Sequence, residues 1–310
     1  MNGFTTQKRS RPYTIDTTLL THPAQQPSMT DETTIPTVET DDVSIPAMGL
    51  GTWQLTDQTA YDAVSAALSV GFRHVDTAQL YDNEWAVGRA IADSDVPREE
   101  VFLTTKVDPT LTTRDAIESS IQGSLDRLGV DHVDLLLIHW PNPLADLETV
   151  MTTLSEAQKR GHTRHVGVSN FGVDRLDRAR ELASVPIVTD QVLFHPFHPQ
   201  RELLNYCQRE GVTLTAYSPL AEGAALSDDL LGNLGQAYDA TPAQVALRWA
   251  TQHENVVAIP KSTSRAHLAE NRDSFGLTLS RSDHDHVTRP SLARTARLAV
   301  GSRLRDALPG

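Results

Sequence analysis

Short apolar runs rich in β-branched residues alternate with longer amphipathic segments from Ala47 onward. Strands of a buried parallel sheet read as short apolar runs, whereas helices repeat their apolar positions every three or four residues. The pattern therefore predicts a series of β–α units. Eight strands are predicted, at 48–52, 74–77, 101–105, 133–138, 165–169, 187–191, 213–217 and 256–259.

The segments between the strands have helical periodicity and typical helix ends. Segment 113–128 repeats isoleucine and leucine on one face, and Gly129 follows as a helix-ending residue. Thr241 followed by Pro242 is typical of a helix start, because threonine caps the first amides and proline suits the first turn. Two further helices are predicted at 201–210 and 266–271.

Eight such units fit either a closed (β/α)₈ barrel or an open doubly wound sheet. An open dinucleotide-binding sheet has a G-x-G-x-x-G turn between an early strand and its helix. Here Gly49-Leu50-Gly51 is followed by Trp53 without a third glycine, which favours the single (β/α)₈ TIM barrel. The polar segment 38–45 contains scattered β-branched residues and is predicted to be an N-terminal hairpin that closes the barrel bottom.

Residues 1–28 differ from the rest of the chain. They contain many threonines, glutamines and prolines and show neither helical nor strand periodicity, so too little apolar surface is available to offset the cost of ordering them. Two interpretations stay open: a disordered tail, or a start that truly lies at Met29. Residues 29–310 are predicted to form the barrel.

The net charge of −13 argues against nucleic acids and anionic membranes as partners. There are 26 Asp and 14 Glu, but only 4 Lys beside 23 Arg. Acidic, lysine-poor surfaces are typical of salt-loving organisms, although a GC-rich genome also favours arginine over lysine. The chain has no apolar run of the ~20 residues that a membrane span needs, and no apolar stretch of a secretion signal near its start. Its single cysteine, Cys207, allows no disulfide within the chain and fits a cytoplasmic location.

Polar side chains cluster where the predicted strands end. In a barrel all these ends meet at one face, which is where catalytic loops lie, whereas ordinary surface charges fall on both faces. The residues at or just after the strand ends are Asp76, Tyr81, Lys106, His139, Trp140, Ser169, Asn170, Gln191, Tyr217, Ser218, Lys261 and Ser262.

Lys106 carries the strongest chemical signal, because an apolar strand rarely ends in an inward lysine without a partner. Asp76 is such a partner, and the charged lysine is expected to lower the pKa of Tyr81 below its usual ~10. A tyrosine tuned in this way can act as a general acid, while His139 can orient a substrate carbonyl by donating a hydrogen bond. Taken singly, Asp76 could instead cap a helix, Tyr81 could be a half-buried aromatic residue, and His139 a core histidine.

Five motifs follow one another along nearly all of the chain, from Gly49 to about Phe275. They are Gly71-Phe72-Arg73-His74-Val75-Asp76-Thr77-Ala78, Tyr81 with Asn83-Glu84, Leu137-Ile138-His139-Trp140-Pro141, Gly167-Val168-Ser169-Asn170-Phe171, and Ile259-Pro260-Lys261-Ser262 with Glu270-Asn271. In this order they resemble the aldo-keto reductase family, and the chain is similar to its compact microbial reductases of the 2,5-diketo-D-gluconate type.

The resemblance implies a reversible, NADP(H)-dependent reduction of an aldehyde or ketone to an alcohol. Asp76, Tyr81, Lys106 and His139 would form the catalytic tetrad, with Tyr81 as the proton donor. The substrate pocket would be lined by His139, Trp53 and Trp140. NADPH is the expected cofactor, with NADH also accepted, and the protein is expected to be a monomer.

The resemblance also assigns the cofactor contacts. Ser169, Asn170 and Gln191 would hold the nicotinamide carboxamide, Tyr217 would stack under the ring, and 261–271 would bind the adenosine end. The full set of expected cofactor residues is Ser169, Asn170, Gln191, Tyr217, Ser218, Leu220, Lys261, Ser262, Thr263, Ser264, His267, Glu270 and Asn271.

Three departures from the family pattern stand out. Asp190 replaces the usual asparagine before Gln191, and Leu193-Phe194 replace an acidic-aromatic pair; both changes affect local packing. The connections after His139 and Ser218 are short, which implies an open pocket. His267 stands where an arginine commonly faces the 2′-phosphate.

Two other functions are compatible with parts of the sequence. Some barrels of the family act as cofactor-binding accessory or regulatory subunits with little turnover, and the intact tetrad argues against that role. A metal-dependent hydrolase would use His74, Asp76 and His139, but no further His or Glu completes a three-ligand set.

Overall fold

A computed structural model describes residues 33–289 and shows one eight-stranded parallel sheet with helices between its strands. The order along the sheet follows the order along the chain, so each strand pairs with the next. These strands are β3 (Leu50–Gly51), β4 (His74–Asp76), β5 (Phe102–Val107), β6 (Val133–Ile138), β7 (Thr163–Ser169), β8 (Ile187–Leu193), β9 (Thr213–Tyr217) and β10 (Val256–Ile259).

Backbone hydrogen bonds join the first and last strands of this sheet. The amides of Gly49 and Gly51 donate to the carbonyls of Ala258 and Pro260 over 2.9 and 3.2 Å, and the Ala258 amide donates to Ala47 over 3.0 Å. A sheet whose edges pair with each other has no free edge. The predicted (β/α)₈ barrel is confirmed, and the open doubly wound sheet is excluded.

A short antiparallel hairpin precedes the barrel. Its strands are β1 (Thr37–Glu39) and β2 (Ser44–Pro46), with Val38 opposite Ile45. Ile45 is completely buried and packs in a separate apolar cluster with the barrel residues Leu135 and Val257. The hairpin therefore closes one end of the barrel, as the sequence predicted.

Ten helices lie in the described part of the chain. The two ends predicted in most detail are confirmed: Thr113 accepts a hydrogen bond from the amide of Ala116, and Gly129 adopts a left-handed φ of 66°. Thr241 and Gln244 form a reciprocal capping box. The helices are α1 (Asp57–Ser69), α2 (Glu84–Ala92), α3 (Arg114–Leu128), α4 (Leu147–Lys159), α5 (Val173–Leu182), α6 (Arg201–Glu210), α7 (Asp229–Ala237), α8 (Pro242–Thr251), α9 (Arg265–Asp273) and α10 (Arg281–Thr288).

Two strands extend further at their carboxyl ends than the sequence predicted. β5 continues to Val107 and β8 continues to Leu193, so Lys106 and Gln191 lie inside strands and not at or beyond their ends. A polar residue at each position suggested that the strand stops there, but apolar residues continue it, Val107 in β5 and Val192-Leu193 in β8. The place of Lys106 and Gln191 in a regular strand fixes their direction, because successive side chains point to opposite faces.

The predicted boundary between residues 28 and 29 lies outside the described residues. Among the helices of residues 33–289, none combines the length and the apolar character needed to cross a bilayer.

Candidate active site

Four polar side chains meet at the carboxyl end of β4, β5 and β6. Asp76 ends β4, Tyr81 ends the short 3₁₀ turn after it, Lys106 lies in β5, and His139 directly follows β6. Adjacent parallel strands place these ends side by side, and the register pairs Asp76 with Thr104 and Lys106 with Leu137. The structure therefore brings all four predicted tetrad residues together.

Lys106 is the centre of this cluster and has no exposed surface. Its ammonium group donates to Asp76 Oδ1 over 2.5 Å, to the Thr77 carbonyl over 2.9 Å and to Tyr81 Oη over 3.3 Å. Burial by itself lowers the pKa of Lys106, but attraction to Asp76 and Tyr81 outweighs it, so the pKa is raised. All three ammonium donors have partners, and the lysine stays charged.

Tyr81 does not have the lowered pKa that the sequence predicted. Burial raises its pKa above 10 more strongly than the charge of Lys106 lowers it, and Asp76 adds to the increase. The prediction was wrong about the net direction, although it identified the effect of Lys106 correctly. In this structure the phenol is therefore protonated, which is the state that a proton donor requires.

His139 packs edge-on against the Tyr81 ring, with the ring centroids 5.4 Å apart. Burial, followed by the nearby charge of Lys106, lowers the pKa of His139 to about 4. The imidazole is therefore neutral at pH 7 and retains one N–H donor. A neutral donor beside the Tyr81 phenol can orient a carbonyl oxygen without competing for its proton.

Buried side chains outside the tetrad hold its loops in place. Asn83 has no exposed surface; its amide donates to the carbonyls of Thr52 and Leu55 over 3.0 and 2.7 Å and accepts from the Thr77 hydroxyl over 2.6 Å. It therefore links the loop after β3 to the loop after β4. From the sequence, Asn83 is only one residue of a motif, and no local pattern indicates this role.

A second polar group lies beside the tetrad, around the ends of β7, β8 and β9. The Ser169 hydroxyl donates to the Gln191 carbonyl over 2.7 Å, and Asn170 donates to the His139 carbonyl over 3.3 Å. The Tyr217 hydroxyl donates to Asn170 Oδ1 over 2.9 Å. Asn170 is held in the left-handed region with φ of 63°. We call Ser169, Asn170, Gln191 and Tyr217 the amide cradle.

The cradle and the tetrad share one hydrogen bond. Gln191 Nε2 donates to Asp76 Oδ2 over 2.7 Å, while Asp76 Oδ1 accepts from Lys106. Both oxygens of the buried carboxylate therefore have partners, as a buried charge requires. This link between two predicted groups was not foreseen from the sequence.

The loop and helix after β10 place a polar segment on the same side of the barrel. The Lys261 ammonium donates to Gln54 Oε1 over 2.9 Å and lies 5.7 Å from the centre of the Trp53 ring. Ser264 caps α9 by accepting from the His267 amide, and the His267 side chain is exposed. Lysine and serine donors at a helix start are suited to an anionic group.

Two other residues near this segment are already engaged. Arg265 donates to the Ser69 hydroxyl over 2.5 Å, which ties it to the end of α1. Glu270 accepts from the Thr241 hydroxyl over 2.6 Å, so one of its oxygens serves the start of α8. Asn271 is buried, whereas Ser262 is half-buried and Thr263 exposed.

Large apolar side chains are exposed at the ends of the same loops. Trp53 and Trp140, both predicted to line the substrate pocket, expose 48% and 47% of their surface, and Leu80 beside Tyr81 exposes 52%. Ser218, with φ of 47°, and the half-buried Leu220 follow β9. This arrangement leaves apolar surface available to a ligand above the tetrad.

Residues 33–289 contain no cluster of three or more His, Cys, Asp or Glu side chains arranged to hold a metal ion. Asp76 instead pairs with Lys106, and His74 contacts the Thr104 hydroxyl at 3.3 Å.

Comparisons with known proteins identify the family of this chain. The family model of the aldo/keto reductase family matches residues 47–290. Methylglyoxal reductase DkgB of Escherichia coli O157:H7 is 41% identical over 244 residues, covering 78% of this chain and 91% of the relative. An aldo-keto reductase of Mycobacterium avium is 43% identical over 248 residues, covering 79% and 86%.

Solved structures show the same likeness. The crystal structure of a protein described as a 2,5-diketo-D-gluconic acid reductase B superimposes with a TM-score of 0.81 at 39% identity, covering 84% of this chain and 94% of that one. An aldo-keto reductase crystallised with NADPH gives a TM-score of 0.77 at 30% identity, covering 83% and 88%. This chain belongs to the aldo/keto reductase family and is an oxidoreductase that acts on carbonyl groups.

Proposed function

We propose that the chain reduces small aldehydes and ketones with NADPH, and that Tyr81 donates the proton to the carbonyl oxygen. The observation that carries this proposal is the buried Lys106 ammonium, which bonds at once to Asp76 and to the Tyr81 hydroxyl. Such an arrangement holds one phenol at a fixed position beside a permanent charge. Positioning and a preorganised acid are the contributions that a protein makes to hydride chemistry.

The donor set of the cradle fits the amide end of a nicotinamide cofactor. A carboxamide offers one acceptor and two N–H donors, and Ser169, Asn170 and Gln191 carry both donors and acceptors. Tyr217, half-buried beside them, offers a flat ring face. Lys261, Ser262, Thr263, Ser264, His267, Glu270 and Asn271 form the expected adenosine end, with Ser218 and Leu220 between the two. When bound, NADPH supplies the hydride.

The tetrad residues have separate roles in the reaction. His139 donates a hydrogen bond that orients the substrate oxygen, and Tyr81 transfers its phenolic proton to that oxygen as the alcohol forms. Lys106 stabilises the phenolate left behind, because a nearby cation favours the charged form of a tyrosine. In the reverse direction, the Tyr81 phenolate takes the proton back from the alcohol.

The exposed apolar surface at Trp53, Leu80 and Trp140 supports a broad substrate range. Relatives are named as a methylglyoxal reductase and as a 2,5-diketo-D-gluconic acid reductase. We therefore propose a small 2-oxoaldehyde as the first substrate to test and a keto sugar acid as the second.

A panel of aldehydes and ketones, assayed with NADPH and with NADH, tests the proposal. Saturable oxidation of NADPH with at least one 2-oxoaldehyde or aldehyde is expected. An accessory barrel would bind the cofactor without steady-state turnover on any member of the panel, and that result would contradict the enzymatic role.

The proposed setting is cytoplasmic and the proposed form monomeric, with neither nucleic acid nor membrane as a partner. The net charge of −13 supports the absence of nucleic-acid and membrane partners, because it disfavours binding to anionic surfaces. The single cysteine is consistent with the reducing conditions of the cytoplasm.

We expect NADPH to be preferred over NADH only weakly. A permanently charged arginine fork at position 267 would be worth about 1.5–3 kcal/mol, or roughly 10- to 150-fold in affinity for the 2′-phosphate. The imidazole of His267 lacks this planar fork of donors, so it can offer the phosphate fewer hydrogen bonds. Dissociation constants for both cofactors measure the effect.

His267→Arg serves as the matched variant and should widen the ratio of NADPH affinity to NADH affinity. The hydrogen bond from Arg265 to Ser69 supports His267 as the residue that contacts the phosphate, because it holds Arg265 at α1. A ratio that is already large in the wild type would assign the phosphate to Arg265 or Lys261 instead.

We also propose that the acidic surface is an adaptation to high salt. Residues 1–28 carry +2, from Lys8, Arg9 and Arg11 against Asp16, so 29–310 carry −15. Salt screens the repulsion among these charges, since the Debye length falls to ~3 Å at 1 M. The melting temperature is expected to rise between low salt and 2 M KCl. A flat profile would favour the GC-rich genome as the explanation.

A further inference from the structure

Asp190 is a buried acidic residue that the tetrad does not use. It lies in β8 next to Gln191, and its side chain has no exposed surface. Neighbouring residues of a strand point to opposite faces, so Asp190 points away from the tetrad that Gln191 contacts. Its Oδ1 accepts a hydrogen bond from the Phe171 amide over 3.4 Å, and its buried Oδ2 has no partner within residues 33–289.

Residues of β8 accept hydrogen bonds from three consecutive residues of this turn: the Ser169 hydroxyl, the Asn170 amide and the Phe171 amide. The Gln191 carbonyl accepts from both the Asn170 amide, over 3.0 Å, and the Ser169 hydroxyl. Asp190 adds the contact on the far side of Asn170, whose left-handed φ of 63° is unfavourable for a residue with a side chain. The turn that presents Asn170 is therefore fixed on one side by Gln191 and on the other by Asp190.

We propose that Asp190 is a positioning residue for the amide cradle: its buried carboxyl group holds the Phe171 amide and thereby fixes the turn that presents Asn170 to the cofactor. This inference rests on the proposed function, because it assigns Asn170 to the nicotinamide carboxamide.

The surroundings of Asp190 account for the uncharged form. The titratable groups that interact with it are Cys207 on α6 and Tyr217 at the end of β9. Arg180 on α5 influences Cys207 but is bonded to Tyr206 and Glu210 over 2.9 and 3.1 Å. No ion pair to Asp190 is present within residues 33–289. Burial raises the pKa of Asp190 to about 8, opposed only by the Phe171 amide. A carboxylate without a cation in such a place is costly.

The Phe171 amide bonds to a carboxylate more strongly than to an acid, but one hydrogen bond of 3.4 Å does not compensate a charge buried without a cation. Ionisation of Asp190 is therefore expected to draw water into the site, loosen the turn and weaken cofactor binding in the alkaline range. The other groups at the site titrate elsewhere, since burial brings the pKa of His139 to about 4 and that of Cys207 to about 12. If only the protonated form presents Asn170 correctly, the dissociation constant for NADPH rises about tenfold between pH 7 and pH 9, because roughly a tenth of the sites stay protonated.

Asp190 should make the cofactor-free protein less stable as the pH rises. The pKa of Asp190 is about 8 in the folded state, against 3.8 for an aspartate in water. Folding therefore takes up a proton between these values, and the contribution of Asp190 to stability falls as the pH rises from about 4 to about 8 and is constant above that. Asparagine at this position retains the acceptor and cannot ionise.

The experiment compares the wild type with Asp190→Asn, Asp190→Ala and Asp134→Asn. NADPH dissociation constants are measured by fluorescence titration from pH 7 to 9, and melting temperatures of the cofactor-free proteins from pH 5 to 8. Asp134 is the matched control, because it is also buried but pairs with Arg98 and Arg164.

Asp190→Asn should abolish the alkaline loss of affinity and bind NADPH about tenfold more tightly than the wild type at pH 9. Its melting temperature relative to the wild type should rise from pH 5 to pH 8. Asp190→Ala, which lacks the acceptor, should bind NADPH more weakly than the wild type at pH 7 and lose little further affinity toward pH 9. Asp134→Asn should keep the wild-type profile of affinity against pH.

A wild-type profile in Asp190→Asn, or wild-type affinity in Asp190→Ala, would overturn the role of Asp190 and leave the proposed function intact. A wild type that fails to bind NADPH at pH 7 would overturn both. If Asp190→Ala does not fold, the comparison of Asp190→Asn with the wild type decides the question.

Discussion

Tyr81→Phe is expected to lower kcat for carbonyl reduction by about 10²- to 10⁴-fold, the usual contribution of general acid catalysis. The substitution removes only the hydroxyl that accepts from Lys106 over 3.3 Å and leaves the ring against His139. The dissociation constant for NADPH should change little, because Tyr81 lies outside the amide cradle. Steady-state rates with an aldehyde and fluorescence titration with NADPH measure the two quantities.

Tyr217→Phe is the matched control, since it also removes one phenolic hydroxyl from the same site. That hydroxyl donates to Asn170 Oδ1 over 2.9 Å, so its loss should weaken cofactor binding instead of removing the acid. Tyr81→Phe should therefore lower kcat with little change in NADPH affinity, whereas Tyr217→Phe should lower NADPH affinity and keep the proton donor. A Tyr81→Phe enzyme that keeps more than about a tenth of the wild-type kcat would show that another group supplies the proton.

The fold could be predicted because periodicity is a local property of the sequence. The strands at Val133–Ile138, Thr213–Tyr217 and Val256–Ile259 have the predicted bounds. The helix at Arg201–Glu210 also begins and ends where its pattern does. Where a strand continues past a polar residue, as β5 does past Lys106 and β8 past Gln191, the sequence pattern ends the strand too early.

The tetrad could be predicted because parallel topology brings strand ends together. Its energetics could not. The pKa of Tyr81 depends on how much burial opposes the charge of Lys106, and burial is fixed by the packing of the whole site. The hydrogen bond from Gln191 to Asp76 joins residues 115 positions apart, and that from Arg265 to Ser69 joins residues 196 apart. No local pattern indicates such contacts.

The charge state of Asp190 is another property that the sequence alone could not predict. The sequence marked it as a departure from the family pattern that affects packing. Only the structure shows that one oxygen holds the Phe171 amide while the other is buried without a partner in the described residues. The charge state of a carboxyl group follows from its surroundings and not from its identity.

Lys106→Met is expected to damage stability and catalysis together. Asp76, only 2% exposed, would lose the cation that its Oδ1 contacts and keep only the hydrogen bond from Gln191. Removing one partner of a buried ion pair costs about 3–5 kcal/mol of unfolding free energy, because the remaining charge is uncompensated. Urea unfolding measures this cost, and kcat should fall about as far as in Tyr81→Phe.

The pH dependence of alcohol oxidation measures how far Lys106 lowers the pKa of Tyr81. In that direction Tyr81 must be a phenolate, and the charge of Lys106 is what lowers its pKa against the effect of burial. Without Lys106 the pKa of Tyr81 rises further, so the rise of the oxidation rate with pH should move to higher pH. The double variant Lys106→Met with Asp76→Asn removes both charges and should recover much of the lost stability, but not kcat or the profile. If Lys106→Met keeps the wild-type profile, Lys106 supports the fold of the site without tuning its acid.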